Sequence, residues 1–550
     1  MKSATLLLSV FLFAFLDAHA GGNSVVIYQD NDGSAAIGVT ADAVQKGSHL
    51  SAEMTQLGSN HRIETYQVGD ANQLTVLQQG SNNAAKILQD KPLMIESNAE
   101  VNQRGSGHTA LIIQRTVELA SAQIQQEEGN NNVAEIHQNA SEATASIQQY
   151  GSDNAQVISQ LAGAEHTASI TVRGDGNTSD PDTVTQDGID HLATIDIIGN
   201  GNMTKAFQEG LSNQSSMYIM GNDNSVESIQ AGESSNHDTK VNVDGDLNGI
   251  NTLAFSTQNS SVELMITGQS NGVGALQDKG NNQRIDIFID GSDNLARSEQ
   301  MNSSDNISRI SIRGNKNTAT SLHLSARSHL SEIDIAGNAN TVSIEKQFQE
   351  RGYAQIIIEG SENYVKAFDS DGSAKVFISL TGNSNNVSSS HILSGGESNI
   401  VINGDSNAVA EHTSETSDYL TSINIDGSEN FSSILQRGEQ GGTPRASIDI
   451  VGNGNEATIK QGRGYHVASI SQQGSDNSAS NTQNGNENSL YIQQTGFLNH
   501  AETSQEGFGN SIELFQNGHE LQASLIQMGD TNAISVLQSG FGNTVSVSQQ

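Results

Sequence analysis

A repeat of 11 residues dominates the C-terminal hundred residues and constrains the fold more than any other feature of the sequence. Glycine recurs at this spacing, Gln stands two residues before each of these glycines, and Asn stands three residues after all but one, where Leu521 replaces it. The seven turn glycines are Gly474, Gly485, Gly496, Gly507, Gly518, Gly529 and Gly540. Several patterns in register over seven units are typical of a repeat architecture, in which each unit packs on the next.

Each unit has the form N-x-φ-x-φ-x-Q-x-G-x-x, where φ is an apolar residue, and its first seven residues alternate with the period of a strand. Asn532, Ile534, Val536 and Gln538, for example, are expected on one face. The segment from Gln to the next Asn predicts a tight turn, because Gly adopts positive φ and Asn tolerates the left-handed region. Large apolar residues occur in alternate units, so the full repeat is two strands and two turns.

The centre of the chain keeps this plan with a slightly longer period. Glycines from Gly268 to Gly427 are 22 or 23 residues apart, and Ile or Leu stands two and four residues before each of them. The sequence therefore predicts an all-β fold, a β-solenoid of strand–turn–strand–turn coils with a 22–23-residue repeat and an 11-residue half-repeat.

The regularity of the repeat divides the predicted chain into five segments, with the Pro-containing stretches at Pro92, Pro181 and Pro444 interpreted as loops within one solenoid. The segments are a signal peptide at 1–20, a short N-terminal segment at 21–52, regular repeats at 53–173, degenerate Ile-rich repeats at 174–452, and regular repeats at 453–550.

The first 20 residues have the pattern of a secretory signal peptide. Lys2 precedes an apolar run from Leu6 to Leu16, and Ala18-His19-Ala20 provides a small-x-small cleavage site. A membrane anchor is the alternative, but the run is short for one. A secreted chain that begins near Gly21 is the prediction.

Composition limits the partners and the chemistry. The chain has 62 acidic and 25 basic residues, a formal charge of −37, and no Cys. Such a chain repels nucleic acid and can attract cations weakly. Acidic turns such as Gly151-Ser-Asp153-Asn154 raise the question of calcium, although ordinary turn chemistry explains Asp there. Outward-facing acids are expected at Asp286, Asp334 and Asp449, where they would oppose sideways sheet aggregation.

No catalytic, cofactor-binding or metal-binding residues are predicted. The scattered His residues form no H-E-x-x-H pattern, and there is no G-x-S-x-G elbow. Pectin-cleaving β-helices are an enzymatic alternative by shape, but their sites need inserted loops that are few here.

Stacked coils would place identical side chains in columns, where Asn and Gln amides bond to one another along the stack. The last strand, which contains Val545, Val547 and Gln549, lacks a distinct capping unit. An open edge that receives another subunit is therefore expected, and fraying of the last residues is the alternative.

The segment Asn488-x5-Gln494-x-Gly496-x-x-Asn499-x-Ala501-x3-Gln505 resembles the curlin repeat, and Asn72 to Gln89 contains a second complete match. This resemblance implies a subunit of curli, the extracellular functional amyloid of bacteria, which is exported through an outer-membrane apparatus and serves adhesion and biofilm formation. The chain is much longer than usual curlin subunits, and it lacks their long Gly-rich export segment.

The resemblance implies that the amides of the repeat form the amyloid ladder. These residues are Asn72, Gln78, Asn83, Gln89, Asn488, Gln494, Asn499, Gln505, Asn510, Gln516, Gln527, Asn532, Gln538, Asn543 and Gln549. The functional prediction is a self-associating structural subunit of a curli-like fibre at the cell surface. The alternative is a monomeric surface β-solenoid that binds a ligand or a neighbouring cell without polymerising.

Overall fold

The computed structural model describes residues 13–16, 22–30, 38–92, 94–115, 118–178, 183–325, 327–347, 352–370, 374–392, 396–414, 420–438 and 444–550. The chain divides into two compact units, Met1–Ser270 and Asn271–Gln550. Most of the predicted signal peptide lies outside the described residues, as does Pro181. The described part of the chain contains no helix, and therefore none long and apolar enough to cross a membrane.

The first unit consists of 22 described strands. They are β1 (Phe13–Leu16), β2 (Ser24–Asp30), β3 (Thr40–Ser48), β4 (Ser51–Ser59), β5 (Arg62–Asp70), β6 (Gln73–Ser81), β7 (Ala84–Gln89), β8 (Asn98–Ser106), β9 (Thr109–Gln114), β10 (Ser121–Asn130), β11 (Val133–Gln138), β12 (Thr144–Tyr150), β13 (Ala155–Ala164), β14 (Thr167–Arg173), β15 (Val184–Ile189), β16 (Leu192–Ile198), β17 (Met203–Leu211), β18 (Gln214–Met220), β19 (Ser225–Ala231), β20 (Asp238–Asp244), β21 (Gly249–Gln258) and β22 (Ser261–Thr267).

The second unit consists of 26 described strands. They are β23 (Gly272–Asn281), β24 (Arg284–Ile285), β25 (Phe288–Asp290), β26 (Leu295–Met301), β27 (Ile307–Arg313), β28 (Thr318–Leu324), β29 (His329–Ala336), β30 (Thr341–Gln347), β31 (Gly352–Glu359), β32 (Tyr364–Ser370), β33 (Ala374–Thr381), β34 (Asn386–Ile392), β35 (Glu397–Asn403), β36 (Ala408–Ser414), β37 (Leu420–Asp426), β38 (Phe431–Arg437), β39 (Arg445–Val451), β40 (Glu456–Gln461), β41 (Val467–Ser475), β42 (Ser478–Asn486), β43 (Ser489–Phe497), β44 (His500–Phe508), β45 (Ser511–His519), β46 (Gln522–Met528), β47 (Ala533–Phe541) and β48 (Thr544–Gln549).

Within each unit, successive strands alternate between two parallel sheets, and each strand pairs with the strand of the next coil. In the first unit, one sheet contains β1, β3 and the further odd-numbered strands to β21. In the second unit, the corresponding sheet contains β23, β26 and the further even-numbered strands to β48. The other sheet contains the remaining strands. We call these the first and the second sheet. The predicted β-solenoid is confirmed.

The strand pairing reproduces the predicted period. Gln494 pairs with Gln516 at a separation of 22 residues. In the centre of the second unit, equivalent residues of successive coils are commonly 23 residues apart, as Asn317 and Asn340 are. Longer separations occur where a turn has gained residues. Gln78 bonds to Gln103 at a separation of 25, and Pro92 lies in the turn between these coils. The strands keep their register because the inserted residues are accommodated in the turns.

The core consists of the alternate residues that point between the two sheets. In the centre of the second unit, the second sheet contributes the predicted aliphatic columns, and their members are buried. They include Ile310, Ile312, Ile333, Ile335, Ile356, Ile358, Ile378, Leu380, Ile400, Ile402, Ile423 and Ile425. The first sheet contributes smaller inward residues such as Ala319 and Ala367. A thin interior is filled because branched side chains from one sheet are combined with small ones from the other.

The prediction that Asp286 faces solvent is wrong, because a bulge interrupts its strand. β24 ends at Ile285, and Ile287 adopts a φ of 68°, a conformation rarely seen for a β-branched residue. The Asp286 side chain is 4% exposed and accepts from Nε of Arg284 at 2.7 Å, while Nε of Arg309 lies 3.3 Å away. Asp449 is exposed as expected.

Candidate functional site

In the regular repeats, the side chains that connect successive coils are Gln amides at the last inward position of each strand. In the regular coils, Nε2 of each Gln donates to Oε1 of the Gln one coil later. Its second hydrogen reaches a backbone carbonyl of the opposite sheet. Gln494, for instance, donates to Gln516 Oε1 at 2.8 Å and to the carbonyl of Ser478 at 2.9 Å. Both donors are satisfied in the dry interior, so the amide is stable there.

These bonds join the Gln residues into columns, with Nε2–Oε1 distances of 2.7–3.3 Å. In the first unit the columns are Gln45, Gln67, Gln89, Gln114, Gln138, Gln160, Gln186, Gln208 and Gln230 in the first sheet and Gln29, Gln56, Gln78, Gln103, Gln126 and Gln149 in the second. In the second unit they are Gln277 and Gln300, then Gln436, Gln461, Gln483, Gln505, Gln527 and Gln549 in the first sheet, and Gln472, Gln494, Gln516 and Gln538 in the second.

The predicted ladder residues therefore separate into several columns. Adjacent half-repeats contribute to opposite sheets, so Gln78 and Gln89 belong to different columns, as do Gln494 and Gln505. The predicted Gln residues are buried except Gln549, which is half-buried in the last strand.

The predicted turn Asn residues lie at the two turns of the coil and bind backbone groups. Asn72 and Asn83 accept from the backbone N–H of Ser97 and His108, each at 3.0 Å. Asn510 similarly accepts from Asn532 N at 3.0 Å. Asn488, Asn499 and Asn510 are buried, Asn532 is half-buried, and Asn543 is exposed in the last coil.

All seven predicted turn glycines adopt positive φ, from 92° at Gly529 to 158° at Gly518. In the stacked coils a side chain would also collide with the next turn. A Cβ placed on Gly496 would lie 1.9 Å from the carbonyl oxygen of Gly518. Glycine is required there by both backbone conformation and close stacking.

A column of turn Asn residues within each unit was not predicted, apart from Asn499, and the column of the second unit is longer than any Gln column there. Nδ2 of each member donates to Oδ1 of the preceding member at 3.0–3.2 Å and, where the contact is described, to a Gly carbonyl of the next coil. The column of the first unit consists of Asn132, Asn154, Asn177, Asn202, Asn224 and Asn248. The column of the second unit consists of Asn271, Asn294, Asn317, Asn340, Asn363, Asn385, Asn407, Asn430, Asn455, Asn477 and Asn499. The spacing G-x-x-N in the central repeats would have predicted it.

Histidine takes the place of the turn Asn in several coils. The Nε2 of His191 lies 3.1 Å from the carbonyl of Asp187, and the backbone N–H of Asn213 donates to His191 Nδ1 at 3.2 Å. A neutral ring protonated at Nε2 fits both contacts. Burial lowers the pKa of His108, His166 and His191, which also favours the neutral ring.

The acidic turn residues accept hydrogen bonds from the preceding coil. Oδ1 of Asp153, which raised the question of calcium, accepts from Nδ2 of Asn131 at 3.2 Å. Oδ1 of Asp175 accepts from Ser152 N at 2.6 Å, and Oδ1 of Asp405 accepts from Asn383 N at 2.6 Å. Across the residues that the structure describes, no three His, Asp or Glu side chains are grouped to hold a metal ion. These carboxylates are therefore placed as turn acceptors.

Residues 518–550 match the family model of the curlin associated repeat. The matched segment includes Gly518, Gly529 and Gly540 together with the column members Gln527 and Gln538. No curated protein matches significantly. The match supports the resemblance drawn from the repeat and is consistent with a divergent curlin-repeat protein.

Proposed function

We propose that the chain is a secreted structural subunit of a curli-like fibre at the bacterial cell surface, where it serves adhesion and biofilm matrix formation. Curlin repeats are associated with extracellular surface fibres, and the repeat and the solenoid are features of structural proteins. The role proposed is therefore structural rather than enzymatic, with other curli-type subunits and an outer-membrane export apparatus as partners.

The observation that carries the proposal is the kind of contact that joins one coil to the next. Parallel backbone pairing and the amide bond from Gln494 to Gln516 depend on register and not on the covalent connection between coils. A coil of a second copy presents the same groups. Templated β-stacking between copies would thus repeat contacts that the chain already makes internally.

The direction of the Gln columns supports head-to-tail stacking. In the first sheet of the first unit, Oε1 of Gln45 is buried without a described partner, so this column begins with an open acceptor. In the second unit, Gln549 accepts from Gln527 and presents its own Nε2 at the last strand. Pairing of the Gln549 donor with the Gln45 acceptor of another copy would continue the column, provided that β1 is removed with the signal peptide, since Leu16 pairs with Gln45.

The proposal is tested with purified chain that begins at Gly21. We expect thioflavin-positive fibres in electron micrographs and a cross-β reflection near about 4.8 Å. A protein that stays monomeric at high concentration would overturn the proposal. Saturable binding of such a monomer to a surface or a cell would instead favour the adhesin alternative.

The role of the columns is tested with the double variant Gln494→Ala/Gln516→Ala. It removes the amide hydrogen bonds that connect Gln472, Gln494, Gln516 and Gln538 along one column. Each bond contributes about 1 kcal/mol, so fibre assembly should slow at least severalfold. The matched control, Gln473→Ala/Gln522→Ala, removes two exposed Gln side chains from neighbouring strands. Equal fibre kinetics for the two double variants would reject the role of the column.

A further inference from the structure

In the middle of the second unit, the register position that elsewhere holds column Gln residues carries ionisable side chains. Gln300 pairs with His323, His323 with Lys346, Lys346 with Asp369, and Asp369 with His391. All four ionisable side chains are buried, with exposures of 0–3%. Four successive coils therefore replace a neutral amide column by groups that can carry charge in a dry interior.

Lys346 is the least compensated member of this column. It is 1% exposed, and its Nζ has no hydrogen-bond partner among the described residues. Burial lowers the pKa of Lys346 to about 8, although the charge of Asp369 acts in the opposite direction. A cation in this position is tolerated only while the carboxylate one coil away remains ionised.

His391 is better supported, because Glu411 lies beside it. The His391 Nε2 is 2.9 Å from Glu411 Oε1, and the hydroxyls of Ser389 and Ser398 donate to Glu411 Oε2 at 2.7 and 2.8 Å. Burial alone would lower the pKa of His391, but Glu411 and Asp369 outweigh it and raise that pKa. Burial likewise opposes ionisation of Glu411, but its partners lower its pKa.

The opposite sheet supplies little charge to balance this column. The facing inward residues of β29, β31, β33 and β35 are aliphatic or small polar side chains, apart from His329. The His329 ring lies 6.0 Å from the His323 ring, and the Nε2 of His323 lies 2.7 Å from the Ser331 hydroxyl. Burial lowers the pKa of His323, and the nearby Lys346 and His329 add to this effect. A proton added at His323 would therefore meet two potential cations and no facing carboxylate.

We propose that the buried ionisable column from His323 to Glu411 is an acid-sensitive breakpoint, at which the coils of the second unit open locally while the coils joined by Gln columns stay closed. Along the column, Lys346 and His391 carry positive charge and Asp369 and Glu411 carry negative charge, so the ionised set is balanced near neutral pH.

Acid destroys this balance from one end. The buried His323 ring excludes a proton next to Lys346, whereas the same ring binds one once the coil opens, so acid favours the open state. Protonation of Asp369 would in addition remove the anion nearest to Lys346. The hydrogen-bonded pair of His391 and Glu411 resists to lower pH. Opening is therefore expected to begin at β28 and β30, and it does not depend on whether the chain forms fibres.

The test is amide hydrogen exchange of the full chain at pH 7 and pH 5, with rates corrected for the intrinsic pH dependence of exchange. Protection in β28, β30 and β32 should fall at least about tenfold at the lower pH. A group whose pKa is about one unit lower in the closed coil than in the open coil shifts the opening equilibrium about tenfold once the pH is below both values. Protection in β42 to β46, whose inward residues are uncharged, is the internal reference and should change less than about twofold.

The variant His323→Gln/Lys346→Gln places amides next to Gln300 and removes the ring that acid protonates together with the cation beside it, so it should abolish most of the selective loss. The matched control, Lys366→Gln/His412→Gln, removes the same residue types from outward positions of nearby strands and should keep it. In the wild-type chain, an equal loss of protection at pH 5 in β28 to β32 and in β42 to β46, or no loss in either region, overturns the proposal. This outcome can be read even if the variant His323→Gln/Lys346→Gln does not fold. Selective loss that persists in a folded His323→Gln/Lys346→Gln variant overturns it as well.

Discussion

At the scale of single residues, the solenoid depends on side chains that donate and accept at the same time. Asn340 donates from Nδ2 to Gly360 O at 2.8 Å and to Asn317 Oδ1 at 3.0 Å, and its Oδ1 accepts from Asn363. Only a primary amide offers two donors and an acceptor in so small a volume. This requirement explains why Asn recurs at the turn over so many coils.

Substitution Asn340→Asp keeps the size of the side chain but replaces both donors by a buried anion. We expect the second unit to lose about 3 kcal/mol or more of unfolding free energy at neutral pH, measured by urea denaturation. The control is Asn338→Asp. The exposed Asn338 side chain accepts a hydrogen bond from the backbone N–H of Asn315, and Asp405 accepts the same kind of bond in an equivalent turn, so Asp can replace Asn there. Similar losses in the two variants would contradict the role of the buried amide.

At the scale of strands and turns, alternation and the Gly–Gln spacing were sufficient to predict the strands, their period and their inward faces. The central repeats were not predicted to contribute Asn columns, because Ile replaces the Gln that stands two residues before Gly in the regular repeats, although the G-x-x-N spacing continues. His191 could not be interpreted from sequence, since the equivalence of a neutral imidazole to an amide depends on where the backbone groups lie. The burial of Asp286 depends on a bulge at Ile287 that no sequence pattern marks.

The turn histidines predict how the first unit responds to acid. Burial lowers the pKa of His166 and His191 below 6.5, so the unfolded chain binds protons that the folded chain does not. Their contribution to stability is complete above pH 6.5 and is lost as the pH falls through the folded pKa values. The variant His166→Asn/His191→Asn should therefore lose less stability between pH 7 and pH 5 in urea denaturation than the wild-type chain.

The control for this prediction is His137→Asn, which changes an outward-facing, partly exposed ring on β11. Because this variant removes a His without changing a turn, a change in acid sensitivity as large as that of the double variant would contradict the role of the turn rings. A double variant whose stability falls as steeply with acid as that of the wild type would show that the turn rings do not act as neutral substitutes for Asn.

At the scale of the whole molecule, charge opposes the self-association that the columns favour. A formal charge of −37 makes every copy repel every other, while the amide columns act only at contact distance. The acidic side chains would keep copies of the chain apart until two strand edges meet. Assembly of the proposed fibre should then be limited by electrostatic encounter, and its rate should respond to salt.

Raising NaCl from about 0.01 M to about 0.15 M shortens the screening length from about 30 Å to about 8 Å, so repulsion between approaching copies weakens. We expect fibre formation of the chain from Gly21 to accelerate by roughly tenfold or more, followed by thioflavin fluorescence at fixed protein concentration and pH 7. Sucrose at equal osmolality is the control for effects of solute other than charge. Because salt barely affects amide bonds in a dry column, a rate that falls with salt would place surface ion pairs, rather than the columns, at the contact between copies.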